Sequence, residues 1–260
     1  MRIAAIQFPT SCAVGENLNR IEEGLSEAAM CQARLLITPE CALCGYPPIE
    51  VESVSDIDFG AQTRAIEQLR HRCEQQDVHL IVGMVRQCEE EHRNSMVLIS
   101  PGRQPRYYDK RALWGWDKDN FRPGDAGTGT WEIEGTRIGV RICFEVRFPE
   151  YFRELYRDQV DVALVCFADV SQHPNDGRYA TIRSHLITRA VENAFHVVSV
   201  NSMSASQTAP TCAIEPDGNV KVEAQKNTDM IITYDVVKHN ISFGQRGRRH
   251  VSDQLLGLVR

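Results

Sequence analysis

Short apolar runs alternate with longer stretches of helical spacing along this chain, a rhythm that predicts an α/β protein. "RIAAIQF" (2–8) reads as a strand, "NLNRIEEGLSEAAMCQA" (17–33) as an amphipathic helix, and "RLLITPE" (34–40) as a second strand. Residues 58–76 carry helical spacing again, and the apolar runs "HLIVGMV" (79–85) and "NSMVLIS" (94–100) follow as strands. "TWEIEGTRIGVRIC" (130–143) divides into two strands at Glu134-Gly135. A helix over 149–157, the strand "VDVALVCF" (160–167), a long helix over 178–195 and the strand "HVVSVNS" (196–202) continue the pattern.

The end of the chain differs. "TCAIEPDGNVKVEA" (211–224) predicts a hairpin around Pro216-Asp217-Gly218-Asn219, and "DMIITYDV" (229–236) adds another strand. Hairpins mixed with strand-helix-strand units require a mixed sheet, or two sheets packed face to face, rather than a purely parallel one. No Ser/Gly/Pro linker, internal repeat or low-complexity segment divides the chain. The expectation is one domain over 1–260, with 238–260 as a C-terminal tail.

Composition narrows the function classes. A formal net charge of -6 argues against a broad phosphate-binding surface, and "RGRR" (246–249) is a local basic cluster of a tail or an interface. No nucleic-acid partner is expected. No run approaches the roughly 18 apolar residues of a membrane span, and "MRIAAIQFPT" lacks the layout of a signal peptide, so no membrane partner is expected. The nine cysteines, an odd number, suit a reduced, cytoplasmic setting. Cys41 and Cys44 form a CxxC, but without a second CxxC or a nearby histidine pair no metal site is expected.

Three strand ends or adjacent loops carry reactive groups. Glu40 closes "RLLITPE", where burial at the mouth of an apolar strand raises a carboxylate's pKa. Lys110 sits among aromatics in "YYDKRALWGW", and Cys143 closes "RIGVRIC". Each alone reads as a cap, a snorkelling cation or a buried hydrophobe. Together they supply a general base, a cation and a thiol, the parts needed for acyl transfer.

With these residues in view, the chain resembles the nitrilase superfamily of carbon-nitrogen hydrolases, in its amidase-like branch. The resemblance rests on "IAAIQFP" with "LLITPECALCGYPP", on "YYDKRALWGWDKDNFRPGD", on "IGVRICFEVRFPEYFREL" and on "RAVENAFHVVSVN", in the family's order over roughly 2–236. It implies a four-layer α-β-β-α sandwich of two packed mixed sheets, at least a homodimer, no cofactor, and a Glu-Lys-Cys triad falling on Glu40, Lys110 and Cys143. It also implies an oxyanion hole made by Lys110 and the backbone N–H of Phe144. The function implied is hydrolysis of a non-peptide C–N bond in a small amide through a cysteine thioester. Nitrile hydrolysis on the same triad and a non-catalytic binding protein are the alternatives.

Two positions depart from the family pattern. A second glutamate often follows the lysine; here Asp117 stands in its place, a candidate for positioning Lys110 or the leaving group. Two residues after the nucleophile, amidase-like members carry aspartate, where this chain has Glu145. One side chain is shorter and the other longer, which raises the hypothesis that they compensate within one pocket. Tyr46, Trp114 and Ala168 open three loops, around 46–60, 114–122 and 168–178, that shape the pocket, and with Glu145 they are candidates for substrate contact. Arg189, Glu192 and Asn193 are expected to fix the long helix, Arg147 and Glu150 to orient the segment after Cys143, and His173 and His185 to stand outside the catalytic set.

Overall fold

β1 (Arg2–Gln7) pairs in parallel with β2 (Leu35–Ile37), and the intervening α1 (Val14–Met30) makes the crossover that parallel pairing requires. In the computed structural model, which describes residues 1–125, 127–171, 176–237 and 242–258, a second unit runs through α2 (Phe59–Gln76) to β3 (His79–Cys88). β4 (Glu91–Ile99) and β5 (Arg106–Asp109) extend the sheet antiparallel. After α3 (Trp116–Asn120), β6 (Thr130–Ile133) and β7 (Thr136–Ile142) form the hairpin expected at Glu134-Gly135. α4 (Pro149–Arg157), β8 (Val162–Phe167), α5 (Asp176–Asn193) and β9 (His196–Asn201) complete two more parallel pairings. β10 (Cys212–Ile214) and β11 (Val220–Glu223) make the late hairpin, and β12 (Met230–Asp235) crosses back to pair antiparallel with β1.

Two six-stranded mixed sheets result, ordered β12-β1-β2-β3-β4-β5 and β11-β10-β9-β8-β7-β6. The two-residue period of a strand assigns each side chain to a layer. Ile3 and Ala5 face the opposite sheet and join Ile138, Val140, Ile142 and Leu164 in the core between the sheets. Ala4 and Ile6 turn the other way and pack with Ile21 and Leu25 of α1 and Leu69 of α2. Ala163, Val165 and Phe167 do the same against Phe152 of α4 and Leu186 of α5. The layers therefore run α-β-β-α, as the resemblance implied. Truncating a fully buried leucine such as Leu164 to alanine costs about 2–5 kcal/mol.

Short elements and the end of the chain lie outside the periodicity reading. β5 and α3 have only four and five residues, too few to show a period. The segment expected to be a tail carries α6 (Phe243–Leu256), started by a Ser242–Gln245 capping box and stopped by Gly257 in the left-handed region. Ser252 is its one buried residue, so the helix buries no apolar face. Polar contacts hold it instead: Tyr156 Oη donates to Asp253 Oδ1 at 2.7 Å, and Arg249 Nη2 to the Ala194 carbonyl at 2.9 Å. Among the described residues no helix is long and apolar enough to cross a membrane.

Candidate active site

Glu40 follows β2 by three residues, while Lys110 and Cys143 directly follow β5 and β7, so all three stand at carboxyl ends of strands. In open α/β sheets such ends form crevices where ligands bind. The turn carrying Glu40 bridges the two sheets, since its backbone N–H donates to the Phe167 carbonyl at 3.2 Å. Gly83 of β3 allows that turn to lie so close. A Cβ at this position would stand 2.2 Å from the Pro39 carbonyl oxygen and 2.5 Å from the Cys41 nitrogen.

Lys110 Nζ donates to Glu40 Oε1 at 2.7 Å and to Asp117 Oδ2 at 2.6 Å, with all three side chains buried. Removing such charges from water is tolerable only when each is paired and hydrogen-bonded. The remaining Glu40 donors are Asn94 Nδ2 to Oε1 at 2.7 Å and the Ala168 N–H to Oε2 at 2.9 Å. Burial raises the pKa of Glu40, and the Asp117 charge adds to it, against the opposing pull of Lys110. Burial works against the Lys110 ammonium, yet Glu40, Cys143 and Asp117 together hold its pKa well above the usual lysine value. The result is a lysine that stays charged beside a carboxylate poised to hold a proton.

Asp117 is placed by α3, and its shorter side chain does reach Lys110. Its other oxygen, Oδ1, accepts from Tyr46 Oη at 2.5 Å, and the Lys110 ammonium lies 5.9 Å from the centre of the Tyr46 ring. Tyr46 therefore meets the charged cluster through both its hydroxyl and its ring face.

Cys143 has φ of 45°, in the left-handed region that non-glycine residues rarely occupy, and begins a 3-10 helix over Cys143–Arg147. Burial, and then the Glu40 charge, push its thiol well above the usual cysteine pKa, while Lys110 pulls it down. At rest the group is a neutral thiol that needs a base to become a nucleophile. α5 braces the turn, because Arg189 Nε donates to the Val146 carbonyl at 3.0 Å while its Nη1 pairs with Glu192 at 2.7 Å. Phe144 packs edge-on against Phe148 with ring centroids 5.1 Å apart, and the Arg147 guanidinium lies 5.7 Å from the Phe144 ring centre.

Glu145 is engaged by donors of the protein itself. It is fully buried, and its carboxylate accepts from Tyr108 Oη at 2.9 Å, from the Arg111 N–H at 2.8 Å and from the Ile142 N–H at 2.8 Å. It shares no hydrogen-bond partner with Asp117, but the Arg111 N–H it holds adjoins Lys110, which Asp117 binds. Ala168 is buried, and its backbone N–H donates to Glu40. Trp114 is 71% exposed. His173 lies outside the described residues.

Two residues of this region escaped the sequence reading. Asn94 is a fully buried amide in the polar first half of β4, between Arg93 and Ser95, so its polarity gave no contrast. Asp169, just beyond β8, is buried, pairs with Arg178 at 2.7 Å, accepts from Thr208 Oγ1 at 2.7 Å and lies close enough to Cys143 to raise its pKa.

Comparison with known proteins places this geometry in context. A sequence model of the carbon-nitrogen hydrolase family matches residues 2–243. An (R)-stereoselective amidase of Pseudomonas sp. is 26% identical over 221 residues, covering 82% of this chain and 77% of that protein. A nitrilase of Pyrococcus abyssi is 26% identical over 206 residues, 77% and 74% of the two chains. The amidase of Nesterenkonia sp. AN1, solved as a cysteine-to-alanine mutant with butyramide, superposes with a TM-score of 0.83 at 20% identity, covering 99% of this chain and 96% of that one. Another structure of that amidase shows acrylamide added at its active-site cysteine. With a match to nearly its whole length, the chain belongs to the carbon-nitrogen hydrolase family.

Proposed function

We propose that this protein hydrolyses the C–N bond of a small amide through a thioester on Cys143. The observation that carries the reading is the buried Glu40–Lys110–Asp117 cluster, coupled electrostatically to the Cys143 thiol. Glu40 accepts the thiol proton as Sγ attacks the carbonyl carbon. The oxyanion that forms is stabilised by Lys110 Nζ and by the Phe144 N–H, which lies in the first turn of a 3-10 helix where N–H groups lack helical partners. Glu40 returns its proton to the leaving nitrogen, and ammonia or an amine departs. The same carboxylate then takes a proton from water, whose oxygen attacks the thioester; the acid leaves and the thiol is restored. The reading includes a reducing, cytoplasmic setting, which nine unpaired cysteines suit, and assembly as a homodimer.

Ammonia release from a panel of small amides including butyramide, N-carbamoyl amines and aliphatic nitriles tests the proposal, with Cys143→Ala as control. Turnover of amides that vanishes in Cys143→Ala is expected. Turnover of nitriles alone would replace the amide reading. A wild-type protein inert to the whole panel, with Cys143 alkylated no faster than the other cysteines, would leave a binding protein.

A further inference from the structure

The CxxC at Cys41 and Cys44 is absorbed by no step above, yet Cys41 directly follows Glu40 and its thiol is fully buried. Its Sγ–H points to Asn94 Oδ1 at 3.7 Å, and Asn94 Nδ2 donates to Glu40 Oε1 at 2.7 Å. Chemistry fixes the direction of this chain. A carboxylate oxygen needs a donor, so the amide nitrogen faces Glu40, and the amide oxygen is left to accept from Cys41. Burial pushes the Cys41 thiol well above the usual cysteine pKa, so it keeps the proton it donates. The Asn94 main chain takes part too, since its carbonyl accepts from the Lys110 N–H at 2.8 Å.

The two oxygens of Glu40 are thereby made unequal. Oε1 accepts from Lys110 and from Asn94, while Oε2 accepts from the Ala168 N–H. A carboxylate offers about four acceptor sites, and its terminal torsion is soft, so donors alone decide which oxygen faces which neighbour. We propose that Asn94, with its amide held by the Cys41 thiol, is a positioning residue that commits Oε1 of Glu40 to Lys110 and leaves Oε2 to receive the Cys143 proton. The inference rests on Glu40 being the base of the proposed reaction.

The rate of Cys143 modification by methyl methanethiosulfonate, a thiol reagent with no amide, against pH, followed by peptide mass spectrometry, tests the proton path without any amide substrate. In Asn94→Leu, the pH at which the rate half-rises is expected to move up by about one unit, with an about tenfold slower rate at pH 7. Cys41→Ala should move it in the same direction by less, and Cys41→Ser, which keeps a donor, should return it to the wild-type position. An Asn94→Leu profile that overlays the wild type, or equal shifts in Cys41→Ala and Cys41→Ser, would overturn the proposal. Should Asn94→Leu fail to fold, the Cys41 pair decides. A wild-type profile that Glu40→Gln leaves unchanged removes the base assignment beneath both readings, whereas absent amide turnover with an intact profile touches the substrate alone.

Discussion

The carboxylate of Glu145 accepts the backbone N–H of Arg111 at 2.8 Å, tying the turn that begins at Cys143 to the loop that carries Lys110. The same carboxylate accepts from Ile142 N–H, one residue before the nucleophile. A single buried side chain thus fixes the backbone on both sides of the site. In Glu145→Gln an amide NH2 would meet these donors, and in Glu145→Asp the shorter chain would not span them. Each is expected to cost about 1–3 kcal/mol, a Tm fall of a few degrees by calorimetry, and to reduce turnover with it.

Glu145 holds the Arg111 N–H and Asp117 the ammonium of Lys110, one residue earlier. The double variant Asp117→Glu/Glu145→Asp is therefore expected to depart from additivity in turnover, whereas separated sites usually add within about 0.5 kcal/mol. A double-mutant cycle that closes within that margin would sink the idea that the two changes compensate.

Asp117 raises the pKa of Glu40 through its charge. Asp117→Asn keeps the shape and removes the charge, so the acid limb of kcat/KM should move to lower pH even as kcat falls about tenfold through loss of the Lys110 partner. Tyr46→Phe leaves that charge in place but removes its hydroxyl donor, and is expected to cost about 1–2 kcal/mol of stability. A pH–rate series on the three proteins separates these effects.

For Glu40, burial places the folded pKa above the unfolded value of about 4.3. The folded state then binds the proton more tightly, so stability contributed by this group declines as pH rises from the unfolded pKa through the folded one. Relative to Glu40→Gln, the wild type should therefore lose stability as pH rises above the unfolded carboxylate pKa in urea titrations. Activity runs the opposite way, rising with pH as Glu40 ionises. Lys110, held charged well above the usual lysine range, should give no basic limb at ordinary pH.

Gly83→Ala tests how the base is placed. Its Cβ would collide with backbone on both sides of Glu40, at Pro39 and Cys41, where no flexible side chain can move away. A destabilisation of about 2 kcal/mol or more is expected, with turnover falling beyond what the melting temperature explains.

Periodicity alone determined the strand-helix rhythm, the hairpin at Glu134-Gly135 and the late hairpin, because a two-residue or 3.6-residue period is set by nearest neighbours in the chain. The three reactive groups at strand ends were legible only together and through the resemblance, since each alone reads as a cap, a snorkelling cation or a buried hydrophobe. Direction was not. Glu145 lies two residues from Cys143, and the positive φ of Cys143 with the 3-10 turn sends its carboxylate to Tyr108 and Arg111. Nor could local pattern pair Glu40 with Asn94 and Lys110, which are 54 and 70 residues away. That meeting depends on the β3–β4 and β4–β5 registers and on Gly83 admitting the Glu40 turn, so the chain specified the reactive groups and only the packed sheets decided which of them touch.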